Sequence, residues 1–142
     1  RFRFNGDQIL SGDYTEGPLS PINRMENDPA GIVGAWANAS ATSLNTHHFF
    51  FFSNGHYLMV DPFGGCSGPM PGVEYGSYAY NTTTKVCTFS SIQYDTNGCS
   101  GVHDSGNGTY GTPKFTISGD GKTMAVVSSD GTVTFTMYRV SK

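Results

Sequence analysis

The side chains best suited to chemistry are His47, His48 and Asp61. A carboxylate that orients an imidazole is the outer-shell arrangement of metal and acid–base sites. If His47 and His48 lie on one strand they point to opposite faces, so the two cannot ligate one ion together. The plainer reading is a polar pair at a strand end. Asp95-Thr96-Asn97-Gly98, followed by His103 and Asp104, has oxygen ligands suited to calcium. It lacks the full spacing of a calcium loop, because Gly98 comes early and Cys99 stands where a ligand is needed. An Asx-rich turn explains the same residues. Asp61 and Glu74 could serve as paired carboxylates, but no spacing in the sequence brings them together. No serine sits in a nucleophile elbow, no cysteine–histidine pair stands out, and no glycine-rich phosphate loop leads into a helix. The expectation is therefore no catalytic residue, no metal and no cofactor, with His48, Asp61, Asp95, Asn97, His103 and Asp104 as polar candidates at a rim.

The elements that hold these residues are strands. The chain has 142 residues, 19 of them glycine, 10 phenylalanine and 8 tyrosine, a mix that favours an all-β fold rich in turns. Only 13% of residues are charged and the net charge is −3, with no basic block, which argues against a nucleic-acid partner. No run approaches the ~20 apolar residues of a membrane-spanning helix. Low charge, little lysine and abundant Ser, Thr, Asn and Gly suit a secreted protein. The start at Arg1 suggests that an upstream segment has been removed or is not included. Asn38, Asn81 and Asn107 head N-x-S/T triplets, a pattern that arises readily by chance at this composition.

Residues 1–30 carry turn residues and no sustained period, apart from the strand-like Arg1-Phe2-Arg3-Phe4. They read as an extended or strand-exchanging extension, followed by one domain over 31–142. There, eight alternating segments are expected at 31–38, 46–53, 56–61, 73–80, 85–92, 112–118, 122–128 and 132–140. Three turns set the register. Asn54-Gly55 as a two-residue turn pairs Phe52 with Tyr57, Phe50 with Met59 and His48 with Asp61. Asp120-Gly121 pairs Ile117 with Met124 and Phe115 with Val126. Asp130-Gly131 pairs Val126 with Phe135 and Met124 with Met137. The last two agree: Phe115, Ile117, Met124, Val126, Val133, Phe135 and Met137 share one face, and Thr116, Ala125, Thr132, Thr134 and Thr136 the other.

Alternation also carries Arg139 onto that apolar face, where a charge needs a partner. Trp36, the only tryptophan, is the natural one if the first and last strands are neighbours. A guanidinium stacked on the indole, with its N–H groups on backbone carbonyls, would cap one end of a barrel. An edge strand with Arg139 reaching water is the alternative.

Gly34-Ala35-Trp36 and Arg139 resemble the lipocalin (calycin) signature. The ordered set Ile32-Val33-Gly34-Ala35-Trp36, Phe52-Ser53-Asn54-Gly55-His56-Tyr57, Gly72-Val73-Glu74-Tyr75-Gly76-Ser77-Tyr78 and Asp95-Thr96-Asn97-Gly98, closed by the Thr-rich strand to Arg139, resembles lipocalin-like domains of secreted bacterial proteins. The resemblance covers about residues 31–141. It implies an eight-stranded up-and-down antiparallel barrel and no particular activity.

In such a barrel the long loops gather at one rim and the tight turns at the other. Cys66 and Cys99 lie in loops at the long-loop rim, so a disulfide there would tie the two together; Cys87–Cys99 is the alternative pairing. Phe49-Phe50-Phe51-Phe52 is apolar on both faces. By the Asn54 register, Phe50 goes inward while Phe49 and Phe51 face out and need cover, either from Phe2 and Phe4 of the same chain or from those of a neighbour. Three functions follow. The first is a secreted, non-enzymatic module on the bacterial surface that binds a small apolar ligand among Trp36, Phe50, Met59, Phe115, Phe135 and Met137. The second is a structural subunit of an extracellular assembly or filament, joined through residues 1–30. The third is an enzyme or metal protein using the rim residues.

Overall fold

The structure, a computed structural model, describes residues 2–5, 8–11, 20–23, 28, 31–40, 45–62, 71–96, 102–104, 108–109 and 111–140. The described residues form strands and turns with no helix. Three short strands, β1 (Phe2–Asn5), β2 (Gln8–Ser11) and β3 (Ser20–Asn23), make one antiparallel sheet. β4 (Gly34–Ala37), β5 (His48–Phe51), β6 (His56–Asp61), β7 (Gly72–Tyr80) and β8 (Cys87–Asp95) follow. After the two-residue strands β9 (His103–Asp104) and β10 (Gly108–Thr109) come β11 (Lys114–Ile117), β12 (Thr123–Val127) and β13 (Thr134–Arg139). The main sheet has eight antiparallel strands in the order β11-β12-β13-β4-β5-β6-β7-β8.

That sheet is a strongly curled half-barrel. Its first and last chain segments are neighbours, with Trp36 opposite Arg139. Its two outer strands touch at one end. There Cys87 N–H donates to the Pro113 carbonyl (2.9 Å), Phe115 N–H donates to the Lys85 carbonyl (2.8 Å), and Val86 bridges Lys114.

Two of the three hairpins keep the expected register, with Phe115 opposite Val126 and Met124 opposite Met137. Both use a Ser-x-Asp-Gly sequence. Ser118 N–H reaches the Thr123 carbonyl and Ser128 N–H the Val133 carbonyl (2.9 Å each), closing four-residue loops. The Ser hydroxyls accept the N–H groups of Thr123 and Val133, and the Asp120 and Asp130 carboxylates accept those of Lys122 and Thr132, all at 3.0 Å. Two- and four-residue loops give strand pairings of the same parity, so the faces are unchanged.

The Asn54-Gly55 hairpin differs. Phe52 stands where the other two have serine, so no hydroxyl can hold a wider loop. Phe52 N–H donates to the His56 carbonyl at 2.9 Å and Gly55 takes a φ of +81°, which gives a three-residue loop with a bulge. The register moves by one residue: Phe51 faces Tyr57, Phe49 faces Met59 and His48 faces Val60. This corrects the expected faces. Phe49 and Phe51 are buried core residues, not an outward assembly patch, and Phe50 lies on the outer face, not among the interior residues.

The interior is packed with side chains. Trp36, Phe51, Tyr57, Met59, Met124 and Met137 are at most 1% exposed. Phe89 lies edge-on to Tyr57 (4.9 Å between centroids) and to Phe115 (6.0 Å). Phe135, expected inside, is 37% exposed. β4 pairs with β13 only at Tyr138 and Arg139, so nothing from β4 stands beside Phe135 in the sheet.

Candidate functional site

Ionisable groups are buried at both ends of the curl. At the tight-turn end Arg139, 7% exposed, lies with its guanidinium carbon 4.1 Å from the Trp36 ring centroid. Its Nε donates to the Gly121 carbonyl (2.6 Å), Nη1 to the Val33 carbonyl (2.9 Å) and Nη2 to the Gly31 carbonyl (2.7 Å). The Trp36 indole N–H donates to the Ile32 carbonyl (2.8 Å). Burial pulls the Arg139 pKa below its ordinary value, while the Asp28 charge works the other way. The cation is spent on backbone carbonyls of the segment before β4 and of the β11–β12 loop. Its work is anchoring, and the indole face supports it.

The inner face of β6 runs from Tyr57, next to the Asn54-Gly55 turn, through Met59 to Asp61 at the long-loop end, beside Glu74 and Gly76 of β7. Glu74 has no exposed surface and sits opposite Met59. The Tyr57 hydroxyl donates to Glu74 Oε1 at 2.5 Å, and Val102 N–H donates to the same oxygen at 3.3 Å. Burial, then the hydrogen bond to Glu74 and its charge, push the Tyr57 hydroxyl well above its ordinary pKa, so it stays protonated and remains a donor. Gly76 makes room for this ring: a Cβ there would stand 3.0 Å from Tyr57 Cε1 and 3.2 Å from the Ser91 carbonyl oxygen. Ser91, with a φ of +49°, belongs to the irregularity between Tyr75 and Ser77 in the β7–β8 pairing.

Asp61, 1% exposed, has its Oδ1 3.2 Å from His47 Nε2. The residue at Asp61 is therefore His47, not His48. The one-residue register shift that moved the phenylalanines moved the histidines too. His48 lies on the outer face, stacked with Phe50 at 6.4 Å. Asp95 is partly buried and pairs with Glu74 in the ladder. His103 and Asp104 form β9, whose side chains are not described, while Asn97, Cys66 and Cys99 lie outside the described residues. Cys87 is a free, buried thiol, so the alternative Cys87–Cys99 bridge is not made. Its pKa is pushed up to about 12 by burial.

His47 and Val102 both belong to long connections, and the two buried carboxylates clasp them to the sheet wall. No group of three or more potential metal ligands occurs among the described residues. Sequence reasoning missed the Tyr57–Glu74 pair. The available signal was the alternation Tyr57-Met59-Asp61, which puts a tyrosine and an aspartate on the face of a core methionine, where polar tips need partners. No family model, curated protein or solved structure matches the chain.

Proposed function

We propose that this protein is a non-enzymatic structural subunit of an extracellular assembly, with residues 31–142 as a lipocalin-like barrel that acts as a solid body and residues 1–30 as the link between copies. The observation that carries this reading is the filled interior. A cup for a small apolar ligand needs a few hundred Å³ of space. Here Trp36, Met59, Phe115 and Met137, four of the residues such a cup would use, are at most 3% exposed and belong to one packed cluster. The buried polar groups support the same reading, because Arg139, Glu74 and Asp61 are engaged with the chain itself. A body whose described interior is filled works through its surface, and the extension supplies a second small sheet outside the main one.

The test is light scattering and negative-stain microscopy of the full chain from about 1 to 500 μM, a range that covers weak specific contacts. Multimers that grow with concentration are expected. A chain that stays monomeric throughout, and saturably binds an apolar dye such as anilinonaphthalene sulfonate that quenches Trp36, would refute the reading in favour of the ligand cup.

A further inference from the structure

The β4 side of β13 is only half used. Arg139 N–H donates to the Lys122 carbonyl and Ser128 N–H to the Val133 carbonyl, so the odd-numbered residues turn their backbone groups to β12. The even-numbered ones turn theirs to the β4 side, where Val140 N–H donates to the Ala35 carbonyl. β4 ends at Ala37, opposite Tyr138, and Asn38 then gives its N–H to the His47 carbonyl on β4's other side. Among the described residues no strand pairs with Thr134 and Thr136 there, and residues 131–136 are all exposed. Two N–H and two carbonyl groups therefore face outward along a strand edge. Val133 (54% exposed) and Phe135 stand beside them, among the few large apolar side chains left open. Natural sheets spoil such edges with a charge, a proline or a bulge. β8, at one border of the sheet, has an irregularity at Ser91 and an aspartate at its end. Residues 131–138 have no charge and no proline, and the ladder to β12 runs without a register shift.

We infer that residues 134–136 of β13 pair antiparallel with the same residues of a second copy, about a two-fold axis at Phe135. An open, uncharged edge takes an extended backbone as its partner. The partner strand must be short, because Ala37 already holds the place opposite Tyr138. β13 itself meets this condition: it starts just after the Asp130-Gly131 turn, where Thr132 N–H is taken by the Asp130 carboxylate. It also complements itself. Centring the pair on Phe135 sets Thr134 of each copy opposite Thr136 of the other, and these are the residues whose backbone groups face out. Four N–H···O bonds follow, with the two Phe135 side chains facing each other in a non-hydrogen-bonded pair. The contact closes on itself as a dimer and uses none of residues 1–30, so it stands or falls apart from the link proposed above. It buries far less than the ~1,200 Å² of a standard interface, so the dimer is weak and forms at high concentration.

The test oxidises the full chain carrying Phe135→Cys with copper phenanthroline at about 500 μM and maps disulfides by mass spectrometry. A bond from position 135 to position 135 can only join two copies, so the protein's own cysteines do not confuse it. The proposed pairing puts these Cα atoms ~4.5 Å apart, inside the ~4.4–6.8 Å range of disulfides. The 135–135 product is expected at least about tenfold above the 82–82 product of Thr82→Cys, in the exposed turn between β7 and β8, because a held pair meets more often than a random one. Adding Thr136→Pro should cut it about tenfold, the worth of one hydrogen bond at ~1.4 kcal/mol, since that N–H faces the second copy and none within the chain. Thr134→Pro replaces it if the first does not fold. A 135–135 yield no higher than the 82–82 yield, or one that proline leaves unchanged, overturns the inference.

Discussion

Replacing Arg139 with lysine keeps the charge and removes the fork. The guanidinium places three donors on three carbonyls that lie in different segments, Gly31, Val33 and Gly121. An ammonium on a single stem can serve one of them well. Hydrogen bonds to a charged group are worth about 1.5–3 kcal/mol each, and a carbonyl left buried without a donor costs about 1–3 kcal/mol. Part of the stacking on Trp36 is lost as well, about 0.5–2 kcal/mol. Water reaching the loosened end recovers some of this, so Arg139→Lys should cost about 3 kcal/mol. With a urea m-value of about 2 kcal/mol/M, the midpoint should fall by about 1.5 M. Trp36 is the only tryptophan and the ring under the guanidinium, so its fluorescence reports the unfolding directly. Arg139→Met should be at least as damaging. A loss below about 1 kcal/mol in Arg139→Lys would refute the claim that the fork, rather than the charge, holds this end together.

Other outcomes follow from single contacts. Gly76→Ala forces a methyl against the Tyr57 ring and the Ser91 carbonyl, so it should destabilise by about 1–3 kcal/mol in the same urea experiment; an unchanged midpoint would show that the ring has room to move. The Asp130 carboxylate is held at a pKa of about 2, first by the Ser128 hydroxyl and then by the Thr132 N–H and hydroxyl. Its pKa in the unfolded chain is about 3.9, so its stabilising contribution is complete above that pH and is lost as pH falls through about 2. Carbon-13 NMR titration that gives Asp130 a pKa of 3.9 or more would contradict the loop geometry. Cys87, fully buried with its pKa pushed up to about 12, should resist iodoacetamide at pH 8 in the native protein and react in urea, as read from its peptide by mass spectrometry; rapid native labelling would mean that the interior opens readily.

The strands were legible because the alternation is strong and the turn residues are explicit. The β11–β12 and β12–β13 pairings follow from Asp-Gly turns whose preceding serine fits a four-residue loop of the same parity. The pairing of β5 with β6 was misread by one residue. The Asn-Gly signal is like the Asp-Gly ones, but this loop closes over three residues rather than four, and Phe52 stands where the other two have a serine whose hydroxyl accepts a loop N–H. That detail decided which phenylalanines are inside and which histidine meets Asp61. Trp36 and Arg139 could be brought together from sequence because strand parity puts Arg139 on the apolar face and a buried charge wants a partner, against an edge strand reaching water; the structure pairs them. The Tyr57–Glu74 pair could not, because it depends on how β6 and β7 align, and no short turn sets that register. Val102 joins Glu74 from a segment 28 residues further along the chain, a distance at which local pattern says nothing.

The anchoring by Arg139 also decides how a pull on the extension would travel. Gly31 and Val33 lie between the extension and β4, and their carbonyls are tied to Arg139 at the end of β13. β13 and β4 are the third and fourth strands of eight, both inside the sheet and away from the line where β8 and β11 touch. Tension therefore enters where each strand has a neighbour on both sides and spreads as shear before it reaches that line.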